Sequence, residues 1–423
     1  MSLAATFGGF LAIFTLLSAL PAQAMDHATG GTGVADLDEL IAIARQMNPE
    51  LAMAALEDDA VAARVAGADT LPDPTLVWQA MDIPRSDATG LPARLPRTDK
   101  LFVRQQVPLW GKRDLKREMA EADSRKAVIL HRLVEIELIA RLKTAYADYH
   151  QAHQAMDIDR DLLPRLDSIA KLARARYMQG VGRQQEATGA EIERTQLAAE
   201  LAAVEVTRHK ARIRINGLLG RAPETPVAET PRLRPVPADL DLAALTETAL
   251  RRNPQLLAED AGIQAAQAGQ ELAEKGWYPD LGVSLGVVKA NGRFDGYEAM
   301  LEVNIPLQGG LREAEIGQAK AESGKARTRR RLQELAIGNA LAEAYWSLRA
   351  ARNTERLISE TALPQAQIGF DSAVRAYGVG KGEFIMVLSA EQQLRRSQID
   401  LLKAQLDQQM QLAEIEKLAG GDL

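Results

Sequence analysis

The sequence predicts a mainly α protein with a small β part: long antiparallel coiled-coil helices carrying a few short amphipathic strands. Three observations predict it. Only 4% of the residues are aromatic, against 46% apolar and 26% charged. Ala, Leu, Glu, Gln and Arg dominate, which is the composition of long helices rather than of an aromatic-filled core. Two stretches, Gly111 to Met178 and Leu311 to Tyr377, hold few helix breakers. At about 1.5 Å per residue the first spans on the order of 100 Å, so it must project as a rod. Finally, the chain is one unit written twice. There is no cysteine, which excludes a disulfide framework, a thiolate metal site, a cysteine nucleophile and a lipid anchor on Cys. The net charge of −6 gives no basis for nucleic-acid binding.

At the N-terminus, residues 3 to 20 are mostly apolar and uncharged, followed by Pro21 and Ala22-Gln23-Ala24. Residues 1–24 read as a cleaved secretory signal peptide, although no Lys or Arg precedes Arg45. Beyond residue 24 no stretch is long and apolar enough for a membrane helix. The remaining route into a membrane is a β-barrel.

The duplication appears as an ordered series of matches, offset by about 200 residues. Leu40 to Asn48-Pro49 matches Leu245 to Asn253-Pro254. Leu71-Pro72-Asp73 matches Tyr278-Pro279-Asp280, and Val107-Pro108-Leu109 matches Ile305-Pro306-Leu307. Tyr146 matches Tyr345, and Leu163-Pro164 matches Leu363-Pro364. Tyr177, Gly180 and Gly182 match Tyr377, Gly380 and Gly382. Repeat one is placed at 37–220 and repeat two at 239–423. Between them 221–238 carries Pro223, Pro226, Pro231, Pro235 and Pro237, an extended linker that cannot be helical. Residues 25–36 form a Gly- and Thr-rich leader.

Within each repeat the order is helix, two strands, long helices. Asp36 or Asp38 caps the first helix, which breaks at Asn48-Pro49 and stops at Leu71-Pro72-Asp73-Pro74. Pro164 and Pro364 are the breakers within the long helical stretches. Leu281 to Val287 alternates between apolar and small or polar residues, and Tyr297 to Ile305 alternates again. Asn291-Gly292 and Phe294-Asp295-Gly296 supply turn chemistry between them. Thr75 to Met81 and Leu101 to Val107 are the weaker equivalents in repeat one, joined by a polar segment with Pro84, Pro92 and Pro96. The alternation puts Val283, Leu285, Leu301 and Val303 on one face and Ser284, Glu302 and Asn304 on the other. Leu101, Val103 and Val107 oppose Arg104 and Gln106 in the same way.

Such strands fit either a hairpin lying on a core or a membrane barrel with its apolar face toward lipid. The helices offer no compact core, which favours the barrel, with Arg104, Ser284, Glu302 and Asn304 in its lumen. One chain supplies four strands, too few to close a barrel, and open edges are not tolerated in lipid. The protein must oligomerise: a dimer gives eight strands, a trimer twelve, a tetramer sixteen.

Together these features resemble the TolC-type outer membrane efflux proteins, and the likeness covers almost the whole mature chain. It rests on the signal peptide, the duplicated units, Val-Pro-Leu or Ile-Pro-Leu ending the second strand, and the Tyr-x-x-Gly-x-Gly turns. Leu71-Pro72-Asp73-Pro74, Met81-Asp82-Ile83-Pro84 and Val107-Pro108-Leu109-Trp110-Gly111-Lys112-Arg113 look most like the branch paired with heavy-metal exporters. The resemblance implies a homotrimer with a twelve-stranded barrel in the outer membrane of a Gram-negative bacterium and a helical tunnel in the periplasm. It implies a passive exit duct for metal cations or small toxic solutes. Its partners would be outer-membrane lipid, a periplasmic adaptor (membrane fusion) protein and an inner-membrane pump of the resistance-nodulation-division type. Protein secretion through a type I system is the alternative on the same fold. A soluble periplasmic coiled-coil adaptor is a third reading; it would show a compact β module between its two helices. By resemblance the glycine turns are periplasmic tips that close the tunnel. Glu186 stands where relatives carry an acidic aperture residue; its counterpart in repeat two is Met386. Tyr377 matches a tyrosine of the closure, and Gly382 replaces an arginine often found there.

No catalytic motif, phosphate loop or cofactor signature is present. His150, His153 and Asp157 share a helical face, as a solvated stripe more readily than as metal ligands. The run Lys325 to Arg331, with Glu313, Glu315, Glu322 and Glu334 nearby, reads as surface charge. The glycine turns at Tyr177, Gly180 and Gly182 and at Tyr377, Gly380 and Gly382 read either as plain helix caps or as the tips of a gate that includes Glu186.

Overall fold

The computed structural model describes residues 36–81, 98–227, 231–290 and 292–423. The signal peptide at 1–24, the leader up to residue 35, residues 228–230 of the linker, Asn291 and the segment with Pro84, Pro92 and Pro96 lie outside the described residues.

Repeat one opens with α1 (Leu37–Met47) and α2 (Pro49–Ala68), then β1 (Thr75–Met81) and β2 (Thr98–Val107), then α3 (Lys112–Met178) and α4 (Gln184–Leu218). Repeat two follows with α5 (Leu242–Arg252), α6 (Pro254–Glu274), β3 (Asp280–Ala290), β4 (Arg293–Asn304), α7 (Gly309–Leu357), α8 (Leu363–Gly378) and α9 (Phe384–Ala419).

Local chemistry sets these boundaries. Asp36 caps α1 by accepting from the Leu37 amide at 2.7 Å. Asn48 breaks the first helical stretch and caps α2, accepting from the Glu50 and Leu51 amides at 2.7 and 3.3 Å, with Pro49 as the first residue of the new helix. Its side-chain amide donates to the Leu218 carbonyl at the end of α4, at 2.8 Å. Asn253 repeats the arrangement, donating to the Leu418 carbonyl at 2.9 Å. The Asn-Pro pair therefore does more than break a helix, since it ties the start of each repeat to its end.

The two Leu-Pro pairs behave differently. α3 runs unbroken through Pro164. In repeat two the helix relaxes into a π turn over Ile358–Ala362 before Pro364. A proline lacks the amide that a helix interior uses, and a π turn is one way to absorb that loss. Sequence predicts a break at both prolines; only the second interrupts the α-helix.

Three apolar clusters hold the helices. Leu40, Leu138, Leu142, Ile215 and Leu219 pack in repeat one, and Leu245, Leu256, Leu341, Leu348 and Ile415 in repeat two. The third joins the two repeats, with Leu162, Leu166, Leu197, Phe370, Tyr377, Phe384 and Leu394. The linker is pinned across the middle. Arg234 pairs with Glu416 at 2.8 Å, and buried Lys143 meets the same Glu416 at 2.7 Å.

The strands form one antiparallel sheet in the order β1-β2-β3-β4, so the two hairpins join side by side through β2 and β3. Among the described residues no helix is long and apolar enough to cross a membrane.

Candidate membrane sheet and helix-tip site

The register assigns the sheet faces. Leu76, Val103 and Leu285 lie in one row and Trp78, Leu101 and Val287 in the next, while Val283 pairs with Leu301 and Leu281 with Val303. These side chains form one apolar face, and among the described residues no helix packs over it. Leu76, Trp78, Leu285 and Leu301 are each more than 60% exposed. A continuous apolar patch of this kind marks an interaction surface. Gln105, paired with Val283, and Asp99, paired with Lys289 at the end of the sheet, are polar residues on the same face.

On the opposite face lie Lys100, Phe102, Arg104 and Gln106 of β2, opposite Val288, Gly286, Ser284 and Gly282 of β3. Glu298, Met300, Glu302 and Asn304 of β4 complete the rows. Lys100 reaches across β3 to Glu298 at 2.6 Å, and Arg104 reaches Glu302 at 3.6 Å. Small residues in β3 permit this crossing. A Cβ at Gly286 would overlap the Phe102 ring and the Leu101 carbonyl. The alternation alone misses Phe102 and Met300, two apolar side chains on the polar face. Ser284 lies on that face yet is only 1% exposed, with its hydroxyl unpartnered among the described residues. It is a covered position between Arg104 and Met300, whereas Asn304 is exposed.

At the far end of the long helices the two glycine turns have the same backbone. Gly180 and Gly380 sit at φ +73° and +74°, the left-handed region that glycine enters without steric cost. The Gly182 amide donates to the Arg176 carbonyl and the Gly382 amide to the Ala376 carbonyl, both at 3.0 Å. Their side chains differ. Tyr177 is 45% exposed, whereas Tyr377 is 2% exposed. The Tyr377 ring packs edge-on to Phe384 at 5.7 Å. The Arg176 guanidinium stands 5.0 Å over it and donates to the Tyr377 carbonyl at 3.0 Å. The Tyr377 hydroxyl donates to Glu186 Oε2 at 3.0 Å. Burial and the Glu186 carboxylate push the Tyr377 phenol up to about 12. It therefore stays a protonated donor across the physiological range. The family resemblance singled out Glu186 and Tyr377 one by one, but not the hydrogen bond that joins them. Arg176 and Phe384 were not singled out, because nothing in their spacing marks them as facing the other repeat.

The remaining candidates resolve simply. His153 meets Asp157 at 3.5 Å, and among the described residues no group of three His, Asp or Glu side chains can hold a metal ion. Within the basic run, Arg329 pairs with Glu259, Arg330 with Asp260 and Glu334, and Arg331 with Glu334.

The sequence profile of the family described as outer membrane efflux protein matches residues 40–221 and 245–421. This chain belongs to that family. The outer membrane efflux protein BepC of Brucella suis is 26% identical over 62% of this chain and 59% of its own length, so the match spans less than two thirds of that relative. The cobalt-zinc-cadmium resistance protein CzcC of Cupriavidus metallidurans is 24% identical over 88% of this chain and 86% of its own. Among solved structures, the outer-membrane channel OprN superposes with a TM-score of 0.79 at 20% identity, covering 91% of this chain and 90% of that one. At that identity the likeness speaks for the fold alone.

Proposed function

We propose that this efflux-family protein is the outer-membrane exit duct of a tripartite efflux system. One observation carries the reading: a single sheet with an exposed apolar face, a polar opposite face bridged by ion pairs, and unpaired edges at β1 and β4. Such a sheet is unstable alone in lipid, because each unsatisfied edge group costs several kcal/mol there. Pairing β4 of one copy with β1 of the next removes both edges, and three copies give a twelve-stranded barrel with a polar lumen. Arg104, Glu302 and Asn304 then line that lumen. The long helices continue the passage through the periplasm, and the glycine turns are its tips. An adaptor and an inner-membrane pump supply the energy; the duct itself has no chemistry to perform. The match to CzcC along most of both chains supports metal cations as the cargo, with small toxic solutes next. A match that runs along most of both chains favours this over protein secretion.

Native mass measurement of the detergent-extracted protein should give a trimer, and a folded monomer would overturn the duct. Leu285→Arg, on the apolar face in the middle of β3, should cost about 2–4 kcal/mol of assembly stability. Asn304→Arg should assemble normally and shift ion selectivity in planar bilayers.

A further inference from the structure

The tip cluster contains a carboxyl that none of these roles uses. Glu391 lies on α9 between Val387 and Leu394, two buried members of the cluster, and is itself 1% exposed. Its Oε2 atom is buried without a hydrogen-bond partner among the described residues, and so is Oδ2 of Asp159, a residue of α3 that is 0% exposed. An unpartnered buried carboxylate oxygen is costly, and a native structure retains one only with a reason.

The surrounding charges sharpen the anomaly. Asp159 faces Glu391 from α3, Glu193 and Glu200 from α4, and Arg395 from α9 itself. Arg395 is already committed, to Asp159 at 2.9 Å and to Glu200. α8 meets α9 through apolar members of the cluster, Ala366 and Phe370. α7 meets it farther along, where Glu355 accepts from Gln405 and Gln408. The guanidinium that acts on Glu391 is thus bound to two other carboxylates. Glu193 accepts from Gln392 at 3.4 Å and Glu200 is half exposed, whereas Glu391 and Asp159 are enclosed. Ionising Glu391 therefore puts a second negative charge into the buried part of the seam between α9 and the α3–α4 hairpin.

We propose that Glu391 is the proton-binding element of a latch that seats α9 on the α3–α4 hairpin, closed when the carboxyl is neutral and loosened when it ionises. The neutral acid removes the repulsion with Glu193 and leaves Arg395 to cross-link Asp159 and Glu200. On ionisation the proton leaves to solvent and the carboxylate is drawn toward water, which parts the seam next to Tyr377 and Phe384.

Burial and then Glu193 push Glu391 up from 4.5 to about 7. The seated state therefore holds the proton more tightly than a loosened, solvated state does. Its advantage is full below about pH 4.5, falls as the pH rises, and is spent once the pH passes about 7. The latch tightens in acid and loosens toward neutrality.

Amide hydrogen exchange on the intact detergent-solubilised assembly tests this without depending on conductance or cargo. Peptides covering 384–400 and 190–200 are followed from about pH 5 to about pH 7.5, with rates corrected for the intrinsic pH dependence of exchange. In the wild type the opening equilibrium should rise on the order of ten- to a hundredfold across that range. In Glu391→Gln, which keeps the shape without the charge, it should stay flat. Glu193→Gln removes the nearest repulsion and should move the wild-type midpoint to lower pH. His150 and His153 are present in all three proteins, so their titration cancels in the comparison. A wild type with no pH response, or a Glu391→Gln protein with the wild-type slope, would overturn the latch. If Glu391→Gln fails to assemble, an unchanged midpoint in Glu193→Gln overturns it instead.

Discussion

The two helix tips share a backbone and differ in everything their side chains do. Gly180 and Gly380 have left-handed φ angles one degree apart, and both turns close with a glycine amide on the carbonyl six residues earlier. Yet Tyr177 points to solvent while Tyr377 is enclosed by Phe384, Arg176 and Glu186. The difference begins two residues past the second glycine of each turn. Gln184 opens α4, whereas Phe384 opens α9 and lies against α4 where Gly189 leaves room, with a Cβ there only 3.3 Å from the ring. The duplication preserved the turn because backbone geometry tolerates few alternatives. The flanking side chains differ, so that one tip buries its tyrosine ring and the helix leaving the other supplies the acceptor for its hydroxyl.

The largest test of this contrast removes each ring. Tyr377→Ala should destabilise the tip helices by about 3–5 kcal/mol, whereas Tyr177→Ala should stay within about 0.5 kcal/mol. Local hydrogen exchange reads both, and equal effects would erase the distinction between the buried and the exposed ring. Next come the features the tips share. Gly180→Ala and Gly380→Ala should each cost roughly 1–2 kcal/mol, because both force an alanine into the left-handed region. A large inequality between them would mean the two backbones are not equivalent in the assembled protein.

Tyr377→Phe keeps the ring and loses only the hydrogen bond to Glu186. It should raise resting conductance in planar bilayers with little loss of stability. An unchanged conductance would leave the tips as plain helix caps. The smallest expected effect is that of Glu186→Ala. In the proposed trimer three copies of Glu186 would surround one axis and attract cations to the mouth. Losing them should weaken block by divalent cations from the periplasmic side roughly severalfold. If block is unaltered, Glu186 serves only as the acceptor of Tyr377.

Much of the molecule was legible in its residues. Helical rods follow from unbroken helix-forming composition. The strand faces follow from period-two alternation, and register repeats it because a one-residue slip would turn every side chain over. The tips follow from glycines that must occupy positive φ. Each of these is a local or periodic constraint, which a chain carries wherever it goes. Contacts between elements distant in sequence had no such signature. Pairing of β2 with β3 into one sheet, Phe102 nested over Gly286, and Arg176 brought over Tyr377 all depend on how the repeats dock. So do the unbroken passage of α3 through Pro164 beside a π turn before Pro364, and the burial of Glu391 among carboxylates. A side chain's exposure and charge environment are set by what folds against it, and that is decided only when the two repeats close on each other.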